Sequence, residues 1–178
     1  MHASARTDPA RDPAEQGTEA ALEAHLRRRL KARIDALDGN AADRPTKQTY
    51  TGSCHCGAVQ FEVDIDLAGE TTRCNCSICK KSSFWKSVVA PGAFRILQGE
   101  DALADYQFGS RIVHHRFCRR CGVKPFAEGR LDGVGAFYAI NLACLDDAAE
   151  EDLAKAPITY QDGRRDLWGS QPAETRHL

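Results

Sequence analysis

Seven of the eight cysteines fall between Gly52 and Gly122, and their spacing is the strongest chemical signal in the chain. They come as Cys54-His55-Cys56, as Cys74-Asn75-Cys76-Ser77-Ile78-Cys79 and as Cys118-Arg119-Arg120-Cys121. Two clusters are pairs and one is a triple. Close thiolates on tight turns suit zinc, which takes sulfur ligands tetrahedrally. A pair with a pair closes a four-sulfur structural site. A triple supplies three sulfurs and leaves one position open, and an open position is where chemistry can occur. Spacing does not fix the partnership. Cys54 and Cys56 joined to Cys118 and Cys121 would staple the first strand to a late hairpin and close a long loop. Cys54 and Cys56 could instead share a metal with two members of the triple, and Cys118 and Cys121 would then need other ligands.

A fourth protein ligand would close the triple and make it purely structural. Cys144 is one candidate, at the end of the apolar stretch Ile140-Asn141-Leu142-Ala143-Cys144-Leu145. A free cysteine in such a stretch is often simply buried. His55 lies between two ligands and should point away from their metal. His114 and His115 are adjacent in the strand-like run Ile112-Val113-His114-His115-Arg116-Phe117, so one faces inward and the other outward. Packing or solvation is the ordinary fate of each; ligation or proton shuttling is the alternative.

The rest of the composition narrows the setting. The chain has 178 residues, enough for one domain with a real core and a short appendage. A formal net charge of -1 gives no bulk attraction to nucleic acid or to an anionic membrane. No apolar run is long enough to span a bilayer. The first residues lack the layout of a secretion signal or a transit peptide. The expected location is the cytoplasm, where cysteines serve as ligands rather than as disulfides.

The elements that must position the clusters can be read in order. Residues 1–47 read as a disordered start, an amphipathic helix and a linker. Asp12-Pro13-Ala14-Glu15 offers a helix start with a capping box. Leu22, Leu26, Leu30, Ile34 and Leu37 then form one narrow stripe, and Gly39-Asn40 ends it. The plain reading is a helix laid on the domain surface with a solvated basic face; the alternative is a homodimer or partner-binding helix. Residues 48–178 read as a β domain with a polar C-terminal tail. Val59, Phe61, Val63 and Ile65 alternate with polar residues, the period of a half-buried strand. Short strands follow at Phe84 to Ala90, Phe94 to Leu97, Leu103 to Phe108, Ile112 to Phe117, Val123 to Glu128 and Ala136 to Leu142. Ile158 to Tyr160 could close the sheet. Ser77 to Ser83 suits one helical turn after the triple, and 145–154 a short helix or acidic loop. In the tail, Trp168 packs in the core or at an edge, with a substrate platform as the alternative. The fold class expected is mainly β, a small zinc-stapled sheet fold with an N-terminal helix.

The phrases Gly52-Ser53-Cys54-His55-Cys56-Gly57-Ala58-Val59, Cys74-Asn75-Cys76-Ser77-Ile78-Cys79-Lys80-Lys81 and Phe117-Cys118-Arg119-Arg120-Cys121-Gly122 resemble the glutathione-dependent formaldehyde-activating family, which includes centromere protein V. The three clusters stand in the right order from about Thr51 to Gly122, and the helix before Gly39 lies outside the resemblance. The resemblance implies a structural zinc on Cys54, Cys56, Cys118 and Cys121, and a second, catalytic zinc on Cys74, Cys76 and Cys79. It implies a carbon–sulfur lyase chemistry in which glutathione and formaldehyde join as S-hydroxymethylglutathione, or the reverse. The bottom-up count of four plus three agrees with it. Three ligating thiolates make zinc a poorer Lewis acid for water than a histidine site, yet able to hold a further thiol as its thiolate.

Glutathione carries two carboxylates, so cations should stand nearby, and Lys80 or Lys81 are favoured over Arg119 and Arg120. Specificity would come from loops around the open position, Ser82 to Trp85 and Gly129 to Gly135. Two other classes compete with the enzyme. One is a non-catalytic zinc module that binds a protein partner through the N-terminal helix. The other is nucleic-acid binding, which the net charge and the lack of a basic run interleaved with aromatics disfavour.

Overall fold

The structure, a computed structural model, describes residue 24 and residues 47–132 and 135–178. The N-terminal helix and linker expected before residue 47 lie outside the described residues, apart from Ala24, which is helical. From Gln48 onward the chain is mainly β, as the sequence predicts.

Ten strands make two sheets. A three-stranded sheet holds β1 (Gln48–Ser53), β2 (Gln60–Ile65) and β5 (Phe94–Gln98) in the order β1-β2-β5. The remaining strands are β3 (Thr71–Cys74), β4 (Lys86–Val89), β6 (Leu103–Tyr106), β7 (Val113–Cys118), β8 (Phe126–Leu131), β9 (Gly135–Asn141) and β10 (Ile158–Gln161). They form one sheet in the order β10-β3-β4-β9-β8-β7-β6. Pairings are antiparallel except β10 with β3, which run parallel. Helix α1 (Ser77–Lys81) follows β3, and α2 (Glu150–Lys155) precedes β10.

The predicted alternation holds in β2, where Phe61, Val63 and Ile65 are buried and Gln60, Glu62 and Asp64 are not. Two expectations change and one is extended. Val123 to Pro125 are spent leaving the second cysteine pair, so β8 starts at Phe126 and runs on to Leu131. Ile158 to Gln161 do form a closing strand, β10, at one edge of the large sheet, but its neighbour is the unexpected β3, a strand too short and polar to announce itself. Only part of the 129–135 stretch is a loop, because Gly129 to Leu131 pair with β9.

Register gives the large sheet two different faces. Phe126 stands opposite Ile140, which stands opposite Ser87, and this face meets the small sheet. Between them Phe61, Phe94, Phe126 and Tyr138 pack, with ring centroids of Phe94 and Tyr138 4.4 Å apart and of Phe94 and Phe126 4.8 Å apart. Full burial of a side chain such as Phe61 or Phe126 contributes roughly 1.5–3 kcal/mol. On the other face His115, Ala127, Ala139 and Val88 stand across from one another. Ala127 and Ala139 are small, and they leave space that Cys74, Cys79 and Phe84 fill. A five-residue helix has little stability of its own. Helix α1 is held on this face by its buried Cys79.

Candidate metal centre

Two hairpin tips bring the pairs together. The β1–β2 tip carries Cys54 and Cys56, and the β7–β8 connection carries Cys118 and Cys121. The tips share a geometry. In each, a glycine amide donates to the carbonyl of the first cysteine, Gly57 to Cys54 and Gly122 to Cys118, both at 2.8 Å. Both glycines take positive φ, +69° and +74°, which a side chain disfavours. Further amides point at sulfur: Val59 N–H donates to Cys54 Sγ at 3.3 Å and Arg120 N–H to Cys118 Sγ at 3.4 Å. Such donors favour the thiolate. Burial raises the Cys121 thiol, but the amides of Val123 and Cys56 and the thiols of Cys118 and Cys56 outweigh it and bring it down to about 6.

The four sulfurs lie within 4.8 Å of one another. Cys54 and Cys56 Sγ are 3.6 Å apart, and Cys56 and Cys118 Sγ 3.7 Å. Those spacings are far beyond a bond of about 2.05 Å. They match the roughly 3.8 Å edge of a tetrahedron built on zinc–sulfur bonds of about 2.3 Å. The donor set therefore fits a zinc ion. It joins residues that spacing alone could not pair, and it ties the small sheet to the large one.

The triple stays apart, also within 4.8 Å sulfur to sulfur. Cys74 ends β3, Cys76 caps α1 and Cys79 lies inside it. Cys76 N–H donates to Cys74 Sγ at 3.3 Å. Between them Asn75 pins the loop to the tail. Its Nδ2 donates to Asp162 Oδ1 at 2.6 Å, and its Oδ1 accepts from Arg164 N–H at 2.8 Å. Donation from Cys74 and Cys76, with Lys86 and Lys124 nearby, holds the Cys79 thiol well below its usual range against burial. Donation between Cys76 and its neighbours Cys74 and Cys79 pushes Cys76 up.

No fourth His, Cys, Asp or Glu joins this triple among the described residues. Cys144 is buried elsewhere, on the four-cysteine side, where burial and then Asp146 push its thiol up to about 12. His55 joins neither cluster. The two histidines of β7 divide as the strand period predicts. His114 Nδ1 meets Asp105 Oδ2 at 2.8 Å on the outer side. His115 is buried and stacks on Phe108 with centroids 5.5 Å apart. Burial, and then Lys124, lower His115 to about 4, so its ring is neutral.

A recess of about 20 Å³ opens beside the triple, lined by Arg73, Cys74, Cys79, Lys80, Ser83 and Phe84 together with His177 and Leu178. That is room for about one water-sized group. Of the favoured lysines, Lys80 lines it and Lys81 does not. Arg119 belongs to the other cluster, where its Nε donates to Leu103 O at 2.8 Å. Ser83 and Phe84, from the 82–85 loop, line the recess as well. The described part of 129–135 does not flank the triple; Gly129 and Arg130 line a separate groove with Arg111, His114 and Tyr138.

The tail is not a loose end. Trp168 packs with the Cys74 cluster, and Gly163 passes so close that a Cβ there would fall 2.7 Å from Cys74 Sγ. Sequence reasoning missed Lys124, which is buried on this side. The available signal was a lone lysine in the apolar run Val123-Lys124-Pro125-Phe126.

The model of the glutathione-dependent formaldehyde-activating enzyme family matches residues 49–161, which contain both cysteine sites. The chain belongs to that family. The fold also resembles a crystal structure of a Rhodobacter sphaeroides protein solved as a structural genomics target. That protein is 33% identical, the match covers 61% of this chain and 99% of the other, and the TM-score is 0.53. Membership of the family connects the chain with glutathione and formaldehyde. Among the described residues no helix is long and apolar enough to cross a membrane.

Proposed function

We propose that the chain is a carbon–sulfur lyase-like enzyme that forms or cleaves S-hydroxymethylglutathione, or a closely related thiol–aldehyde adduct, in the cytoplasm. One observation carries the reading: three convergent thiols, with no fourth ligand of their own among the described residues, beside a recess of one-carbon size. In this reading Cys54, Cys56, Cys118 and Cys121 hold a structural zinc, and Cys74, Cys76 and Cys79 hold a second. Bound there, zinc would keep a substrate thiol as its thiolate at neutral pH. The protein then has few tasks. Phe84 and Trp168 exclude water, and the Asn75–Asp162 hydrogen bond fixes the ligand loop. The recess admits formaldehyde beside the thiol, which replaces a bimolecular encounter with a held geometry. A tripeptide cannot enter 20 Å³, so glutathione lies across the rim, where Lys80 and Arg73 suit its carboxylates.

The test is zinc content of the wild type and of Cys76→Ser, followed by an adduct-formation assay. The reading expects two zincs falling to one with the fold intact by circular dichroism, and loss of rate enhancement in the variant. One zinc in the wild type, or equal rates for wild type and variant, would put the reading aside. Cobalt in place of zinc gives a second check: added thiol should change the visible spectrum of the wild type.

A further inference from the structure

One buried cation faces the triple from the sheet side. Lys124 lies between the second cysteine pair and β8, and only 9% of it is exposed. Its Nζ is buried and has no hydrogen-bond partner among the described residues. Lysine side chains ordinarily run along apolar surface to bring the ammonium to water; this one does not. The backbone is fixed on both sides, by Asn141 Nδ2 donating to Lys124 O at 3.0 Å and by the fully buried Pro125. The ammonium sits 3.6 Å from the centroid of the Phe84 ring, a contact that partly replaces hydration. Phe84 is itself part of the site. It packs with Cys74 and Cys79, and its N–H donates to Cys79 O at 3.0 Å.

The charges bearing on Lys124 are few. Burial weakens proton binding at Lys124 most; against it Cys79 and Cys76 attract the ammonium, and Lys86 repels it. Lys86 also bears on the triple, ahead of Lys124 at Cys79 and at Cys74 as well, but it is half-buried with its Nζ already 3.5 Å from Gln161 Oε1, whereas the Lys124 Nζ has no such partner among the described residues. His115, the other buried titratable group here, is neutral and offers no competing charge. Three thiolates around a divalent ion leave one net negative charge, and a thiolate in the fourth position adds another. In a desolvated setting such charge needs a partner.

We propose that Lys124 is the counter-ion of the centre formed by Cys74, Cys76 and Cys79: its ammonium, held over Phe84, offsets the thiolate charge, so that the centre retains its metal and accepts an anionic thiolate as the further ligand. The inference rests on the metal part of the proposed function. It makes Lys124 a positioning residue, acting through the thiolates and not on the aldehyde.

The test uses the full chain loaded with zinc, in wild-type form and as Lys124→Met, Lys124→Gln and Lys124→Arg. Release to a chromophoric chelator is followed, with the four-cysteine zinc as an internal control. Lys124→Met and Lys124→Gln should each lose one zinc at least about tenfold faster, the size of one lost charge interaction at protein-like dielectric. The second zinc should leave at the wild-type rate. Lys124→Arg, which keeps the charge, should stay within about threefold of wild type. In cobalt-loaded protein, Lys124→Met should need at least about tenfold more 2-mercaptoethanol to develop thiolate-to-cobalt absorption. Wild-type release from every variant overturns the inference. So does an Lys124→Arg variant as labile as Lys124→Met, or loss of both zincs together, which would mark a packing role. A wild type holding one zinc removes this inference and the proposed function together; two zincs with insensitive variants removes this inference alone.

Discussion

Removing the Asn75 side chain should free the C-terminal segment from the three-cysteine loop. Asn75 stands between two of the clustered thiols and makes two side-chain hydrogen bonds, to Asp162 Oδ1 at 2.6 Å and from Arg164 N–H at 2.8 Å. Asp162 is 3% exposed, and its ion pair with Arg165, at 3.7 Å, comes from a side chain 71% exposed. In Asn75→Ala the Asp162 oxygen therefore loses its close donor without gaining water. A hydrogen bond to a buried acceptor of this kind is worth about 1.5–3 kcal/mol, and the more exposed bond from Arg164 adds about 0.5 kcal/mol. The sum, about 2–3.5 kcal/mol, is a rise of roughly thirty- to four-hundred-fold in the open population of the segment. Trp168 reports it directly, since its Nε1 is buried in the closed arrangement. In a Trp85→Phe background the measurement is acrylamide quenching of Trp168 and urea unfolding of the metal-loaded chain. Asn75→Ala should quench more readily and lose stability by that amount, while Asn75→Asp, which repels Asp162, should do no better. A change under about 0.5 kcal/mol with unaltered quenching would refute the idea that this side chain locks the tail over the site.

Three further outcomes follow from the geometry. Gly163→Ala forces a methyl against Cys74 Sγ and the Trp168 ring, so elemental analysis should find the zinc of the triple lost or halved while the four-cysteine zinc stays. Gly122→Ala imposes a left-handed backbone on alanine at φ +74°, costing about 1–2 kcal/mol in denaturant titration with zinc content unchanged, since nothing lies within 4 Å of the added methyl. His115, lowered to about 4 by burial and by Lys124, binds its proton more weakly folded than unfolded. The unfolded chain therefore takes up the extra proton, and stability falls as pH drops from about 6.5 toward 4. His115→Phe should flatten that part of the profile relative to wild type, measured as the difference in urea midpoints; parallel profiles would contradict the burial of a neutral ring.

How much of this was legible in advance depends on the range of the signal. The β2 alternation, the opposite facing of His114 and His115, and the helical turn holding Cys79 are all written in neighbouring residues. The strand β3 was not, because Thr71 to Cys74 is short and takes its place from pairing with β4 and β10. The start of β8 moved because leaving the second cysteine pair consumes Val123 to Pro125, a cost of turn geometry that strand propensity does not register. The sequence reading places the 129–135 loop around the open position, yet the register of β8 with β9 carries Gly129 and Arg130 to another groove.

By itself the sequence determined the number and type of sulfur clusters, the β character after Gln48 and the family to which they belong, because each rests on local spacing. Only the tertiary structure decided which clusters meet. Cys56 and Cys118 are 62 positions apart and 3.7 Å apart in space, and that contact is made by two hairpin tips whose approach depends on sheet packing. The same holds for Lys124 and Trp168. Nothing in their neighbours marks them for the three-cysteine site; they reach it because the large sheet has one face of small residues, and whatever lands there is buried beside the thiols. Local chemistry chooses the ligands, and long-range packing chooses the charge and the walls around them.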